Sequence, residues 1–152
     1  MVRTERMISE RRRTAGDAAV DGMLAGAVGG IAMAGVLIVS AWLTGEGPVR
    51  MLTRFAPVGS ASPLTGAMIH LAVSAVYGLL FGVIYRLIGR GRLAGEPAGL
   101  LLGLVYGLAL NVVAQGLAAT ATGSTLREIP ALHFAVSHLV FGAVTGWLSA
   151  RR

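Results

Sequence analysis

Four long apolar runs constrain what this chain can fold into more than any other feature of the sequence. The runs cover residues 18–44, 64–88, 98–119 and 131–150. Each can cross a bilayer as a helix, because at ~1.5 Å per residue roughly 20 residues span a hydrocarbon core of ~30 Å. Backbone groups without partners are costly in lipid, so each run is expected to be helical. The predicted fold is therefore all-α, with four transmembrane helices.

The composition favours a polytopic membrane protein over a water-soluble domain. Of the 152 residues, 55% are hydrophobic and 13% are charged, whereas about a quarter of the residues are charged in a typical soluble domain. The mean hydropathy is +0.72. The sequence contains no cysteine, which excludes disulfides, thiolate metal sites and cysteine nucleophiles.

The basic residues predict the orientation of the helices. All 13 are arginines, against 7 acidic residues. Cytoplasmic loops carry the excess of basic residues, so the side that holds most arginines is expected to face the cytoplasm. The arginines of that side are Arg3, Arg6, Arg11, Arg12, Arg13, Arg86, Arg90, Arg92, Arg151 and Arg152. The other side holds only Arg50, Arg54 and Arg127.

This distribution predicts that both termini and the 86–97 loop lie in the cytoplasm. Residues 1–17 then form an Arg-rich cytoplasmic lead, and residues 18–150 form the transmembrane domain. The net charge of +6 fits anionic lipid headgroups. Because no recognition motif accompanies it, nucleic acid is not an expected partner.

Two loops are predicted on the outer side. In the longer one, Val49, Leu52 and Phe55 recur at helical spacing, with Arg50 and Arg54 on another face. This pattern predicts a short helix that lies on the outer surface.

The second outer loop contains Thr125-Leu-Arg-Glu128, followed by Pro130. The tetrapeptide matches a capping box. The proline suits the first turn of the last span.

Glycines spaced four residues apart occur in all four spans. Such spacing lets helix backbones approach closely, and van der Waals contact then replaces the hydrophobic effect as the cause of association in lipid. The predicted packing glycines are Gly26, Gly30, Gly78, Gly82, Gly99, Gly103, Gly107, Gly142 and Gly146. These glycines are expected to serve packing within the bundle, and some of them a homodimer.

The chain also contains a near-repeat. His70-Leu-Ala-Val-Ser74 in the second span matches His133-Phe-Ala-Val-Ser137 in the fourth, with one change. Together with the glycine spacing that the first and third spans share, this suggests two helical hairpins of related sequence. The alternative is chance, because apolar helices use few residue types.

Polar residues within the spans concentrate on three helices, in the half of the bilayer predicted to be outer. The cluster consists of His70, Ser74, Asn111, Gln115, His133, Ser137 and His138. Three interpretations stay open. The first is a structural layer of interhelical hydrogen bonds. The second is a haem or metal site, in which His70 faces His133 or His138. The third is a polar pocket or pore for a small solute or lipid.

Enzymatic chemistry is not expected. No hydrolase, metalloprotease or phosphate-loop motif is present. No ionisable Asp, Glu, Lys or Arg lies in the middle of a span, which argues against a proton-coupled carrier.

Segments of all four spans resemble a family of small bacterial four-helix inner-membrane proteins that has no established activity. The segments are Ala25–Ala34, His70–Gly78, Gly103–Gly107 and His138–Gly142. The similarity covers roughly residues 22–149. It implies that His70 and His138, rather than His133, occupy the recurring positions, and so makes them the candidate metal ligands.

The predicted function is that of a non-enzymatic integral membrane protein, a structural or accessory module of the bacterial cytoplasmic membrane. Its expected partners are membrane lipid and either further copies of itself or a larger membrane complex. The first alternative is a membrane subunit that binds haem or a metal through histidines of the outer half. The second is an oligomeric pore or small-solute carrier. The sequence does not decide whether a cofactor is bound.

Overall fold

The computed structural model describes residues 14–89, 93–121, 123 and 125–151. Most of the predicted Arg-rich lead, residues 1–17, lies outside this part of the chain, as do Arg90, Arg92 and Arg152. The described chain is all-α. Its helices are α1 (Ala15–Leu43), α2 (Pro48–Thr53), α3 (Pro63–Ile88), α4 (Glu96–Thr120) and α5 (Ala131–Ala150), with a 3-10 helix at Thr125–Glu128.

The four predicted spans are confirmed. The helices α1, α3, α4 and α5 are each long and apolar enough to cross a membrane, so the chain is a multi-pass integral membrane protein. The first span begins earlier than expected, at Ala15, because Thr14 and Asp17 form a capping box. The Thr14 hydroxyl accepts from the Asp17 amide at 3.1 Å, and the Thr14 amide donates to Asp17 Oδ2 at 2.8 Å.

The long helices are arranged around α1 and α5. Helix α3 packs on α1, α1 packs on α5, and α5 packs on α4, whereas α3 and α4 make few contacts with each other. This order leaves a groove between α3 and α4. The end of the bundle that carries α2 and the 3-10 helix is called the outer end here, because the arginine distribution predicts that it faces away from the cytoplasm.

Two seams of small residues hold the pairs of helices together. On α1, a Cβ at Gly26 would overlap the backbone of Gly78 on α3. On α4, a Cβ at Gly103 would overlap the carbonyl oxygen of Gly142 on α5. The remaining predicted packing glycines make equally close contacts across the same two seams: Gly30, Gly82, Gly99, Gly107 and Gly146. All nine therefore lie at contacts within the chain.

The two seams match each other in register, but the repeated pentapeptide does not. Gly78 contacts α1 as Gly142 contacts α4, and in that alignment Ser74 corresponds to His138. The pentapeptide instead pairs His70 with His133, one residue out of register. The two histidines of the repeat therefore occupy different environments.

The short outer helix predicted around Val49 is present as α2, but its buried face differs from the expectation. Met51 and Arg54 are 2% and 6% exposed, whereas Val49 is 61% exposed. The reason is that α2 folds back against the end of α3. A Cβ at Gly66 would overlap the carbonyl oxygen of Leu52, so this glycine admits the backbone of α2.

The predicted capping box at Thr125–Glu128 is wrong. These residues form a 3-10 helix, and α5 begins only after Pro130, which is its N-cap and provides no side-chain cap. A residue before proline is disfavoured in helical conformation, so the turn is separated from α5. Glu128 instead lies 3.0 Å from Arg54 Nη2.

Candidate functional site

The groove between α3 and α4 widens in the outer half into a cavity of about 620 Å³. This volume falls in the range of small-molecule sites, ~300–1,000 Å³. Its roof consists of α2 with the segment that follows it, and of the 3-10 helix. Its apolar walls include Ile69, Val73, Leu110, Ala114, Phe134 and Phe141.

The cavity opens sideways between α3 and α4. Val73 on α3 and Leu117 on α4 both line it, yet they are 44% and 60% exposed. Both side chains lie within helices that can span a membrane, so the space they border is the lipid phase. A molecule can therefore reach the cavity from the bilayer.

Aromatic side chains close the cavity at its inner end. The Tyr106 hydroxyl on α4 donates to the backbone carbonyl of Tyr77 on α3 at 2.9 Å. The Tyr106 ring also packs on Phe81, with ring centroids 5.2 Å apart. This bridge joins the two helices that otherwise scarcely touch. The lining of the cavity ends at this level, with Tyr77 on α3 and Leu110 on α4, so the cavity is a pocket with a floor.

A charged cluster, formed by Glu46, Arg50, Arg54 and Glu128, lies at the outer end. The Arg54 guanidinium forms ion pairs with Glu46 and with Glu128, and it donates to the Thr125 carbonyl at 2.8 Å. Arg50 lies 3.7 Å from Glu46 and 3.8 Å from Glu128. Arg54 thus ties α2 to the loop after α1 and to the 3-10 helix, and it holds the roof in place.

Two of the three histidines line the cavity. His70 Nε2 lies 3.0 Å from the Gly30 carbonyl, and the ring packs on Phe55 with centroids 4.7 Å apart. His138 Nδ1 lies 2.9 Å from the Phe134 carbonyl. A carbonyl only accepts, so the nitrogen that faces it carries the proton in each ring. In the neutral imidazole the other nitrogen, Nδ1 of His70 or Nε2 of His138, is then a hydrogen-bond acceptor.

The structure divides the predicted polar cluster. Ser74 lines the cavity with His70 and His138. His133 does not line it, because its Nδ1 lies 2.6 Å from the Ser40 hydroxyl on α1.

The other three predicted polar residues bond within their own helices. Gln115 donates to Asn111 Oδ1 at 3.1 Å, and the Ser137 hydroxyl donates to the Phe134 carbonyl at 2.7 Å. Both contacts lie within a single helix, whereas a structural layer requires hydrogen bonds between helices, such as the one His133 makes with Ser40.

The histidine pair bears on the metal hypothesis. His70 and His138 share one cavity, as the alternative with these two ligands requires, whereas His133 faces another helix. Within the described residues, no group of three or more His, Asp or Glu side chains is placed to hold one metal ion. A metal bound here would have two imidazole ligands and would need the rest from a bound molecule.

Several residues of the cavity were not identified from the sequence. Arg54 was expected on a water-facing surface. Phe55 and Phe134 looked like ordinary apolar positions. The sequence carries a weak signal for Arg54, because each outer loop contains an acidic residue, Glu46 and Glu128. That signal acquires meaning only once the two loops are adjacent.

The fold and the cavity define a four-helix integral membrane protein with a pocket in one half of the bundle. Comparison with protein-family models, curated proteins and solved structures finds no match for this chain.

Proposed function

We propose that this chain is a non-enzymatic accessory protein of the bacterial cytoplasmic membrane that binds an amphiphilic molecule in its outer-half cavity. The observation that carries the proposal is the cavity itself, about 620 Å³ with apolar walls and a few polar groups. Such a combination is typical of sites that bury the apolar part of a ligand and orient its polar part.

The sideways opening and the closed inner end support binding over conduction. Val73 and Leu117 border the lipid phase, so an amphiphile can enter from the bilayer. The bridge from Tyr106 to Tyr77 closes the path toward the other side. These two features favour a binding protein over a path for solutes through the single chain. The assignment to the cytoplasmic membrane rests on the arginine distribution and on the family resemblance.

A photolabelling experiment tests this function. The protein is reconstituted in phosphatidylcholine nanodiscs with a dodecanol that carries a diazirine in its chain, and the labelled residues are identified by mass spectrometry. We expect labelling of cavity residues of α3 and α4 that an excess of unlabelled dodecanol suppresses. Residues that face lipid elsewhere should label without saturation.

A pair of variants on α4 controls for changes in the helix. Ala114 lines the cavity, so Ala114→Phe fills part of it and should reduce the saturable labelling severalfold. Ala109 is exposed on the same helix, so Ala109→Phe should leave that labelling unchanged. Labelling that does not saturate, or that both variants reduce equally, would contradict the proposed function.

A membrane subunit that binds haem or a metal is the second candidate. The observation that favours it is that His70 and His138 line one cavity and each has a ring nitrogen that makes no protein hydrogen bond in the described chain. An absorption spectrum and elemental analysis of the purified protein test it. Stoichiometric metal or a Soret band, lost in His70→Ala and His138→Ala but kept in His133→Ala, would support this candidate.

A further inference from the structure

We infer that the cavity selects an uncharged amphiphile whose polar end donates a hydrogen bond, which is the chemistry of a long-chain alcohol. This inference rests on the proposed function and specifies the ligand class of that site. It depends on three features: the direction of the histidine hydrogen bonds, the charge balance at the outer end and the position of the apolar walls.

The histidines supply acceptors that require a donor. The N–H groups of His70 and His138 are already directed to the carbonyls of Gly30 and Phe134. The lone pairs of the other two ring nitrogens have no protein partner among the described residues. The enclosed side-chain atoms that lack a partner there are Arg54 Nε and the hydroxyls of Thr145 and Ser149, so the two ring nitrogens are not sealed off. Both rings line the cavity, so it is the space available to these lone pairs.

A hydrogen-bond acceptor that faces an apolar cavity is satisfied only by a ligand that has a hydrogen-bond donor. An unpaired polar group in such surroundings costs free energy, and a hydroxyl that donates to it removes the cost. Ser74 also lines the cavity, and its hydroxyl is able both to donate and to accept a hydrogen bond. An ether or ester oxygen lacks the hydrogen, so it cannot bond to the imidazole lone pairs.

The charged cluster disfavours an ionic ligand. Its two arginines, Arg50 and Arg54, lie against two carboxylates, Glu46 and Glu128. The cluster is therefore balanced internally, and it offers neither an uncompensated cation to an anionic headgroup nor an uncompensated anion to a cationic one. Because burial of an unpaired charge is costly, the occupant of the cavity is expected to be neutral.

The apolar walls accommodate the chain of such a molecule. Leu110 and Ala114 on α4 face Ile69 and Val73 on α3 across the groove that opens to lipid. When its hydroxyl lies near the histidines, a long-chain alcohol can extend its alkyl chain along these walls and into the bilayer. The site then differs from a groove that binds any lipid, because it requires a hydrogen-bond donor on the ligand.

Competition against the diazirine probe tests the inference with three compounds of one chain length: dodecanol, dodecyl methyl ether and dodecanoate. The ether keeps the oxygen acceptor and loses the donor, and dodecanoate introduces a negative charge. A net hydrogen bond is worth about tenfold in affinity. We therefore expect dodecanol to compete about tenfold more strongly than the ether, and dodecanoate to compete more weakly than dodecanol.

Histidine variants identify the acceptors. The double variant His70→Leu/His138→Leu should lower the preference for the alcohol over the ether to within about twofold. His133→Leu, whose ring lies against Ser40 outside the cavity, should keep the full preference. Since the comparison of compounds on the unmodified protein needs no variant, it decides the inference even if the double variant does not fold.

The outcomes separate this inference from the proposed function. If none of the three compounds suppresses the labelling of cavity residues by the diazirine probe, the proposed function itself fails. If labelling saturates but the ether or dodecanoate competes as well as dodecanol, the cavity binds amphiphiles and the donor requirement is wrong. A preference for the alcohol that persists in the double variant would also overturn the assignment to the histidines.

Discussion

Replacement of Gly103 by alanine tests the packing of α4 on α5 most directly. A Cβ at this position would overlap the carbonyl oxygen of Gly142 and would lie against the Cα of Gly146. Both are backbone atoms, which cannot rotate away as a side chain can. The helices must therefore separate, and the close contacts at Gly99 and Gly107 on the same seam weaken with them.

The magnitude follows from two opposing terms. Alanine favours a helix over glycine by up to ~1 kcal/mol, whereas overpacking a tight contact costs typically ~1–3 kcal/mol. Loss of van der Waals contact along the seam adds to that cost, because such contact is what holds helices together in lipid. We expect Gly103→Ala to destabilise the bundle by roughly 1–3 kcal/mol, and the larger Gly103→Leu to destabilise it further.

Gly116 provides the matched control on the same helix, because a Cβ there would meet nothing within 4 Å. Gly116→Ala should leave the free energy of unfolding within about 0.5 kcal/mol of the unmodified protein. The measurement is reversible unfolding in mixed micelles with increasing dodecyl sulfate, followed by circular dichroism. If both alanine variants change the unfolding free energy equally, the close approach of α4 and α5 at Gly103 is wrong.

Three further predictions concern the roof, the floor and the orientation of the bundle. Arg54→Met should lower the free energy of unfolding by about 1–3 kcal/mol. This is less than the ~3–5 kcal/mol expected for a fully buried ion pair, because Glu128 is half exposed. If a dodecyl sulfate titration shows no loss, Arg54 does not hold the roof. Tyr106→Phe should cost about 0.5–1.5 kcal/mol in the same titration, and an unchanged midpoint would refute the bridge to Tyr77. Because the chain has no cysteine, Ser60→Cys should react with an impermeant maleimide on intact cells and Ala94→Cys only after permeabilisation, and the reverse pattern would refute the predicted orientation.

The membrane fold was largely predictable because hydropathy is a local property of the chain. All four runs predicted from the sequence became helices, and α5 occupies the predicted residues 131–150. Where a boundary moved, a specific local interaction explains it, as with the capping box of Thr14 and Asp17. The short helix α2 was also predicted, from the spacing of three apolar residues.

The composition of the cavity was only partly predictable. The sequence singled out His70, Ser74 and His138, which line the cavity. It grouped them with His133, which instead lies against Ser40 on α1. Arg54 was assigned to a water-facing surface because it lies on a different face of the predicted short helix from Val49, Leu52 and Phe55. Its burial depends on Glu46 and Glu128, which come from two separate loops.

The repeated pentapeptide illustrates why resemblance along the chain is a weak guide to position in a bundle. The glycine seams of the two hairpins match when Gly78 corresponds to Gly142, but the pentapeptide is displaced from that alignment by one residue. A displacement of one residue turns a side chain by roughly 100° around a helix. His70 and His133 consequently face different neighbours although they begin the same pentapeptide.

The sequence by itself determined that this chain crosses a membrane, where its four helices run, and which residues are small enough for close packing. Only the tertiary structure decided which faces of those helices meet, and therefore which polar side chains share a cavity. The physical reason is that lipid and the interior of the bundle are both apolar. In a soluble helix the contrast between water and core marks the buried face, whereas a helix in lipid shows no such contrast, and its rotation is set by contacts such as Gly26 with Gly78 and Gly103 with Gly142.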